Sequence, residues 1–218
     1  MTRTTARNAP AGGLILASGS HIRAELLRAA GLEFAVNPTA IDEDAIKLES
    51  FAEGLTAPET ADKLAWLKAL YKSRSIPGAV VIGCDQMLEV NFEDPEGSAS
   101  LSTWLNKPED IDQLREQLRS LSGKCHSLYS AVVLVENGTR IWGKLETAKL
   151  TMHELSEEEI EAYLRRAGDG ILNSVGGYFY EGLGLRLFAR VDGDYHTILG
   201  MPLLPMLKFL RDSGRIAL

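Results

Sequence analysis

Residues Leu14–Leu32, LILASGSHIRAELLRAAGL, constrain the fold more than any other stretch of the chain. Leu14–Ala17 is a short apolar run of the kind that forms a buried strand. Ser18, Gly19 and Ser20 supply a small-residue turn. An amphipathic helix follows, with Ile22, Leu26, Leu27 and Ala30 on one side, and Gly31 is placed to close it in the left-handed conformation. The unpaired N–H groups of a first helical turn, and the helix dipole, both favour an anion at such a turn. Arg23 falls in that first turn, where a cation opposes the dipole, so it reads as a residue aimed at an anion. A plain βα unit with a solvated arginine is the other reading of the same pattern. The unit has no G-x-x-x-x-G-K-[ST], and Gly12 and Gly13 precede the strand, so no G-x-G-x-x-G follows it.

Strands and helices continue to alternate. Glu33–Pro38 reads as a second strand, and the acidic run within Ile41–Ser50, Asp42-Glu43-Asp44, as a solvated loop. Pro58 opens a helix to about Ser73 with Ala61, Leu64, Ala65 and Leu67 inward, and Lys68 borders that apolar stripe. Ala79–Gly83 is a fully apolar strand, and Asp85 directly follows its end, where α/β proteins place their chemistry. Asn91–Thr103 reads as an exposed hairpin or lobe insertion, and Pro108 as the start of a helix to Leu121. Two long strands, His126–Val135 and Thr139–Met152, flank Asn137-Gly138, a strong hairpin signal. Ser156-Glu157-Glu158-Glu159 is a capping box that opens the helix Glu157–Ala167. Gly168–Gly184 is glycine-dense but holds Tyr178, Phe179 and Tyr180, so an ordered loop is expected. Arg186–Val191 reads as a strand and Pro202–Arg211 as a terminal helix. The sum is α/β with a mixed sheet: a frayed segment at residues 1–12, then one domain over 13–218 with two lobes around a cleft.

A net charge of −7 argues against a general nucleic-acid or membrane-surface binder. Residues 1–12 lack the apolar core of a secretory signal, and the longest apolar runs fall short of a membrane span. Cys84 and Cys125 form neither a metal pattern nor a disulfide framework, so a cytoplasmic location is expected. His126, His153 and His196 show no metal spacing and read as structural or exposed.

Taken in order, these segments resemble the Maf family of nucleotide pyrophosphatases. The resemblance is carried by Ser18-Gly19-Ser20-His21-Ile22-Arg23-Ala24-Glu25-Leu26-Leu27, Asp42-Glu43, Leu64-Ala65-Trp66-Leu67-Lys68-Ala69, Ile82-Gly83-Cys84-Asp85 and Lys107-Pro108. Leu121–His126, Glu181–Gly184, Gly193–Tyr195 and Gly200–Leu203 extend it. It implies a two-lobed fold like that of inosine-triphosphate pyrophosphatases, with the active site in the interlobe cleft. It also implies hydrolysis of a nucleoside triphosphate to monophosphate and pyrophosphate with a divalent metal, Mg²⁺ or Mn²⁺. Asp85 would be the proton acceptor, and Glu43 would assist metal or water, the two being the candidate metal ligands. Lys68, Lys107 and Arg23 would contact the triphosphate, and Ser18 and Ser20 would line its site. At the three positions that read Arg, Thr and Gln in members cleaving dTTP and UTP, this chain has Ile22, Gln86 and Glu181. Gln86 and Glu181 resemble the branch that cleaves 7-methyl-GTP, whereas Ile22 stands where that branch carries Trp. A dTTP/UTP substrate is the alternative within the family. A septum-formation or cell-division regulator acting by binding is the alternative outside catalysis, and a homodimer is left open.

Overall fold

The computed structural model describes residues 13–93 and 100–217. The expected frayed segment, 1–12, lies outside them, as does the middle of the expected exposed hairpin, 94–99. Among the described residues the chain forms seven strands in one sheet, ordered β2-β1-β3-β5-β6-β7, with β4 paired to β3. These are β1 (Leu14–Leu16), β2 (Phe34–Val36), β3 (Val80–Glu93), β4 (Ser100–Leu105), β5 (Cys125–Glu136), β6 (Thr139–Met152) and β7 (Phe188–Asp192). The helices are α1 (His21–Ala29), α2 (Glu43–Ala52), α3 (Ala57–Ser73), α4 (Ile111–Leu121), α5 (Glu157–Ala167), α6 (Tyr195–Ile198) and α7 (Leu203–Asp212). The sheet is mixed: β1 lies parallel to β2 and β3, while β3–β4 and β6–β7 are antiparallel. The described residues divide into two compact units, one within 1–86, 130–146 and 200–218, the other within 87–129 and 147–199.

In the first unit, β1 is buried along its length, and Leu14, Ile15 and Leu16 align with Val80, Val81 and Ile82 of β3. Ser20 caps α1, its hydroxyl accepting from the Arg23 N–H. Gly31, at φ +75, ends that helix: its N–H donates to Arg28 and that of Leu32 to Leu27, the paired bonds of a Schellman cap. The acidic run is a helix and not a loop. Asp42 Oδ1 accepts from the Ala45 N–H at 3.0 Å, and Glu43 and Asp44 occupy the first turn, where carboxylates complement the dipole. Thr56 and Glu59 form a capping box at the start of α3.

The second unit is built round a core that includes Leu114, Leu118, Leu128, Leu150, Ile160 and Tyr178. Helix α4 starts at Ile111, three residues after Pro108, because the Asp110 carboxylate caps it by accepting from the Gln113 N–H at 2.8 Å. The glycine-dense stretch is ordered as three short 3-10 turns, Asp169–Asn173, Val175–Gly177 and Leu183–Leu187. Tyr178 anchors it: the ring is buried edge-on to Phe188, and the hydroxyl lies 2.7 Å from His126 Nε2. Burial pushes the His126 pKa down to about 4, so this histidine is a neutral structural partner.

Candidate active site

The site grows from two elements of the first unit that approach unusually closely. On α3, Ala61, Leu64, Ala65, Lys68 and Ala69 are all buried. Opposite Ala65 and Ala69 the strand carries Gly83, where an added Cβ would lie 2.0 Å from the Ala65 carbonyl oxygen and 2.9 Å from Ala69 Cβ. The missing side chain lets the helix backbone rest against the strand. Lys68, one turn along from Ala65, then reaches Asp85, two residues beyond Gly83. Its Nζ donates to Asp85 Oδ1 at 2.6 Å and pairs with Glu43 Oε1, at the head of α2, at 2.8 Å.

Lys68 and Asp85 are 6 % and 4 % exposed, so this ion pair is shielded from water. Charges held this way require partners, and Asp85 has only half of its set. Its Oδ2 is buried and makes no hydrogen bond. An ionised carboxylate oxygen without a donor is costly in a protein interior, unless a ligand or reactant belongs there.

Asp85 lies inside β3 and not past its end, which corrects the sequence expectation. The parallel pairing with β1 does stop at Ile82, so the carboxylate still sits just beyond the end of the parallel segment. The strand continues because β3 also pairs with β5 and β4. Gln86 Nε2 donates to Ser130 Oγ of β5 at 2.9 Å.

Arg23 is engaged by the protein itself. Its Nε donates to the Gly200 carbonyl at 2.9 Å, and its Nη1 to the Cys84 carbonyl at 3.0 Å and to Ser18 Oγ at 3.2 Å. Ser18 is buried, and its Oγ also accepts from the Ser20 N–H at 3.3 Å. Ser18, Ser20 and Arg23 therefore form one local network at the start of α1, with Ile22 half-buried beside it. The first unit thus gathers Ser18, Ser20, Ile22, Arg23, Glu43, Lys68, Asp85 and Gln86. Lys107 and Glu181 belong to the second unit, and both are exposed. The residue that sequence reading missed is Gly83: the motif Ile82-Gly83-Cys84-Asp85 held it, and its signal was a lone glycine in an otherwise apolar strand.

Gly83→Ala is expected to destabilise the protein by about 1–3 kcal/mol through overpacking. The melting temperature should fall by about 2–4 °C for each kcal/mol. Turnover should fall with it, because α3 must retreat and carry Lys68 from Asp85. A variant that melts with the wild type would show that this close approach is dispensable.

The chain is similar to known proteins along most of its length. The Maf-like protein family matches residues 13–213. A nucleoside triphosphate pyrophosphatase of Paramagnetospirillum magneticum is 45% identical over 202 residues, covering 93% of this chain and 99% of that protein. Another, of Nitrobacter hamburgensis, is 47% identical over 206 residues, covering 94% and 96%. A 7-methyl-GTP pyrophosphatase of Brucella abortus is 44% identical over 198 residues, covering 91% and 94%. Among solved structures, a HAM1 protein from Coxiella burnetii overlays with a TM-score of 0.37 at 16% identity, covering 71% of this chain and 92% of that one.

Proposed function

The chain belongs to the Maf-like protein family and is a nucleoside triphosphate pyrophosphatase, and we propose that its preferred substrate is 7-methyl-GTP or a closely related modified purine nucleotide. The observation that carries the chemistry is the buried Lys68–Asp85 pair with Asp85 Oδ2 left open. In this reading Oδ2 takes a proton from water as the water oxygen bonds to phosphorus. The bridging P–O bond between the α- and β-phosphates breaks, and pyrophosphate leaves with its electron pair. Lys68, donating to Oδ1, holds the Asp85 carboxylate oriented for that step. Lys107, carried over from the family motif, is proposed to meet the phosphates.

A divalent cation suits the residues present. Among the described residues no group of three or more His, Cys, Asp or Glu side chains is poised for a metal. Asp85 and Glu43 offer two carboxylates, and Mg²⁺ is commonly held by one or two carboxylates together with substrate phosphates. These two residues would hold Mg²⁺ or Mn²⁺, and the ion would neutralise charge on the phosphate oxygens when bound. Among the described residues no helix is long and apolar enough to cross a membrane. Both cysteines are free, and we place the enzyme in the reducing cytoplasm.

The base preference is supported by Gln86 and Glu181 and by the Brucella relative's name. A carboxylate at Glu181 can accept from guanine N1–H and the exocyclic amine, a pair that a pyrimidine does not present. It also attracts the positive charge of a 7-methylated base. The test is a pyrophosphate-release screen over canonical and methylated nucleoside triphosphates with Mg²⁺ and with Mn²⁺. The highest kcat/KM is expected for 7-methyl-GTP. Glu181→Gln should narrow the purine–pyrimidine gap by about 1–3 kcal/mol, the cost of a mispaired polar group. Faster cleavage of dTTP and UTP than of every purine would overturn the preference and leave the reaction class standing.

A further inference from the structure

The sequence assigns Arg23 to an anion, and in the structure its guanidinium also makes three hydrogen bonds within the protein. Nε and Nη1 together reach Gly200, Cys84 and Ser18. These partners stand 177, 61 and 5 residues away along the chain. One side chain thus ties the start of α1 to β3 and to the segment ahead of α7. The Cys84 carbonyl matters most, because the Cys84 C=O and the Asp85 N–H belong to a single planar peptide group. Fixing that oxygen fixes the plane from which the Asp85 side chain departs.

Gly200 is shaped for this contact. Its φ of +92 is a conformation that side chains rarely adopt, and a Cβ there would lie 3.1 Å from Arg23 Nη2 and 3.2 Å from Nε. A glycine lets the guanidinium lie against the chain and donate to its carbonyl. A lysine could not replace Arg23, since a single ammonium on a flexible stem lacks the rigid fork that serves acceptors in different directions.

Resting on the assignment of Asp85 as the base, the geometry points to Arg23 as a positioning residue that orients Asp85 through the Cys84 carbonyl, with Gly200 as its seat. Its loss acts on turnover and not on nucleotide affinity.

The test uses Arg23→Lys and, independently, Gly200→Ala, each with and without Cys125→Ser, because Cys125 is exposed and Cys84 is buried. Both variants should lower kcat by about 10²-fold, the scale of a small misplacement of reacting groups, with KM nearly unchanged. In the Cys125→Ser background both should also let a thiol reagent label Cys84 several-fold faster under native conditions, as the strand loosens. Arg23→Lys that raises KM, keeps kcat and leaves Cys84 protected would overturn the proposal and return Arg23 to the phosphates. Two variants with wild-type kcat and wild-type labelling would overturn it as well. The labelling arm needs no turnover. A wild-type protein that releases no pyrophosphate from any nucleotide would therefore defeat the reading of the reaction, while Cys84 still reports whether Arg23 holds the strand.

Discussion

Asp85→Asn is expected to lower kcat by roughly 10²–10⁴-fold in a protein that remains folded, the usual range for removing a general base. The amide keeps the size of the carboxylate and can still accept from Lys68 through its oxygen. What it cannot do is take a proton from water. The loss should appear in kcat and kcat/KM alike, because the interaction is made only as the water is activated. The comparison to make is steady-state pyrophosphate release by variant and wild type at saturating nucleotide, with unfolding curves to show that the fold persists. Near-normal turnover in a folded variant would remove Asp85 from the chemistry, and the unpartnered Oδ2 would then need another account.

Lys68→Met should produce the largest loss of stability of any single substitution in this site. The methionine fills most of the volume of the lysine stem but leaves Asp85 in the interior without its ion partner. Breaking a buried pair by removing one member costs about 3–5 kcal/mol, because the remaining charge is uncompensated. Set against a total stability of about 5–15 kcal/mol, this is a large fraction. The double variant Lys68→Met with Asp85→Asn should recover much of that loss, because the carboxylate that remains, Glu43, is part-exposed and no charge is left stranded in the interior. It should recover no activity. Urea unfolding of the wild type, both single variants and the double variant gives the coupling energy directly. A Lys68→Met protein as stable as the wild type would mean that water already compensates Asp85.

Much of this fold was legible in the sequence, and the parts that were not have a common cause. Features whose partners lie within a few residues were read correctly. Gly31 closes α1, Asn137 and Gly138 form a turn at φ +50 and +77, and the Ser156–Glu159 box opens α5. Ser156, Asn137 and Gly31 act on their own neighbours, so their chemistry is local. The acidic run at Asp42–Asp44 is also local, but three carboxylates in a row suit a solvated loop as well as the helix start that Asp42 caps. Asp85 and Gln86 looked like the end of a strand because polar residues seldom continue one. Their partners, Lys68 and Ser130, are 17 and 44 residues distant. Lys68 was seen to border an apolar stripe, but nothing in its own helix shows that it is enclosed between carboxylates from α2 and β3. Gly83 reads in sequence only as the last residue of an apolar strand, because the helix that lies against it is set by tertiary packing. The motifs held Lys68 and Asp85, whereas their pairing depends on tertiary approach.

The path of the chain bears on how such a protein can change over generations. The backbone passes between the two compact units at 86/87, 129/130, 146/147 and 199/200. Three of those passages fall inside β3, β5 and β6, in the middle of continuous strands. Neither unit is a cassette with one entrance and one exit, so neither can be lifted out, duplicated or exchanged by recombination without cutting strands. New nucleotide preferences in this architecture are therefore expected to arise by single substitutions, at positions such as those we propose for Gln86 and Glu181, on a frame that is inherited whole.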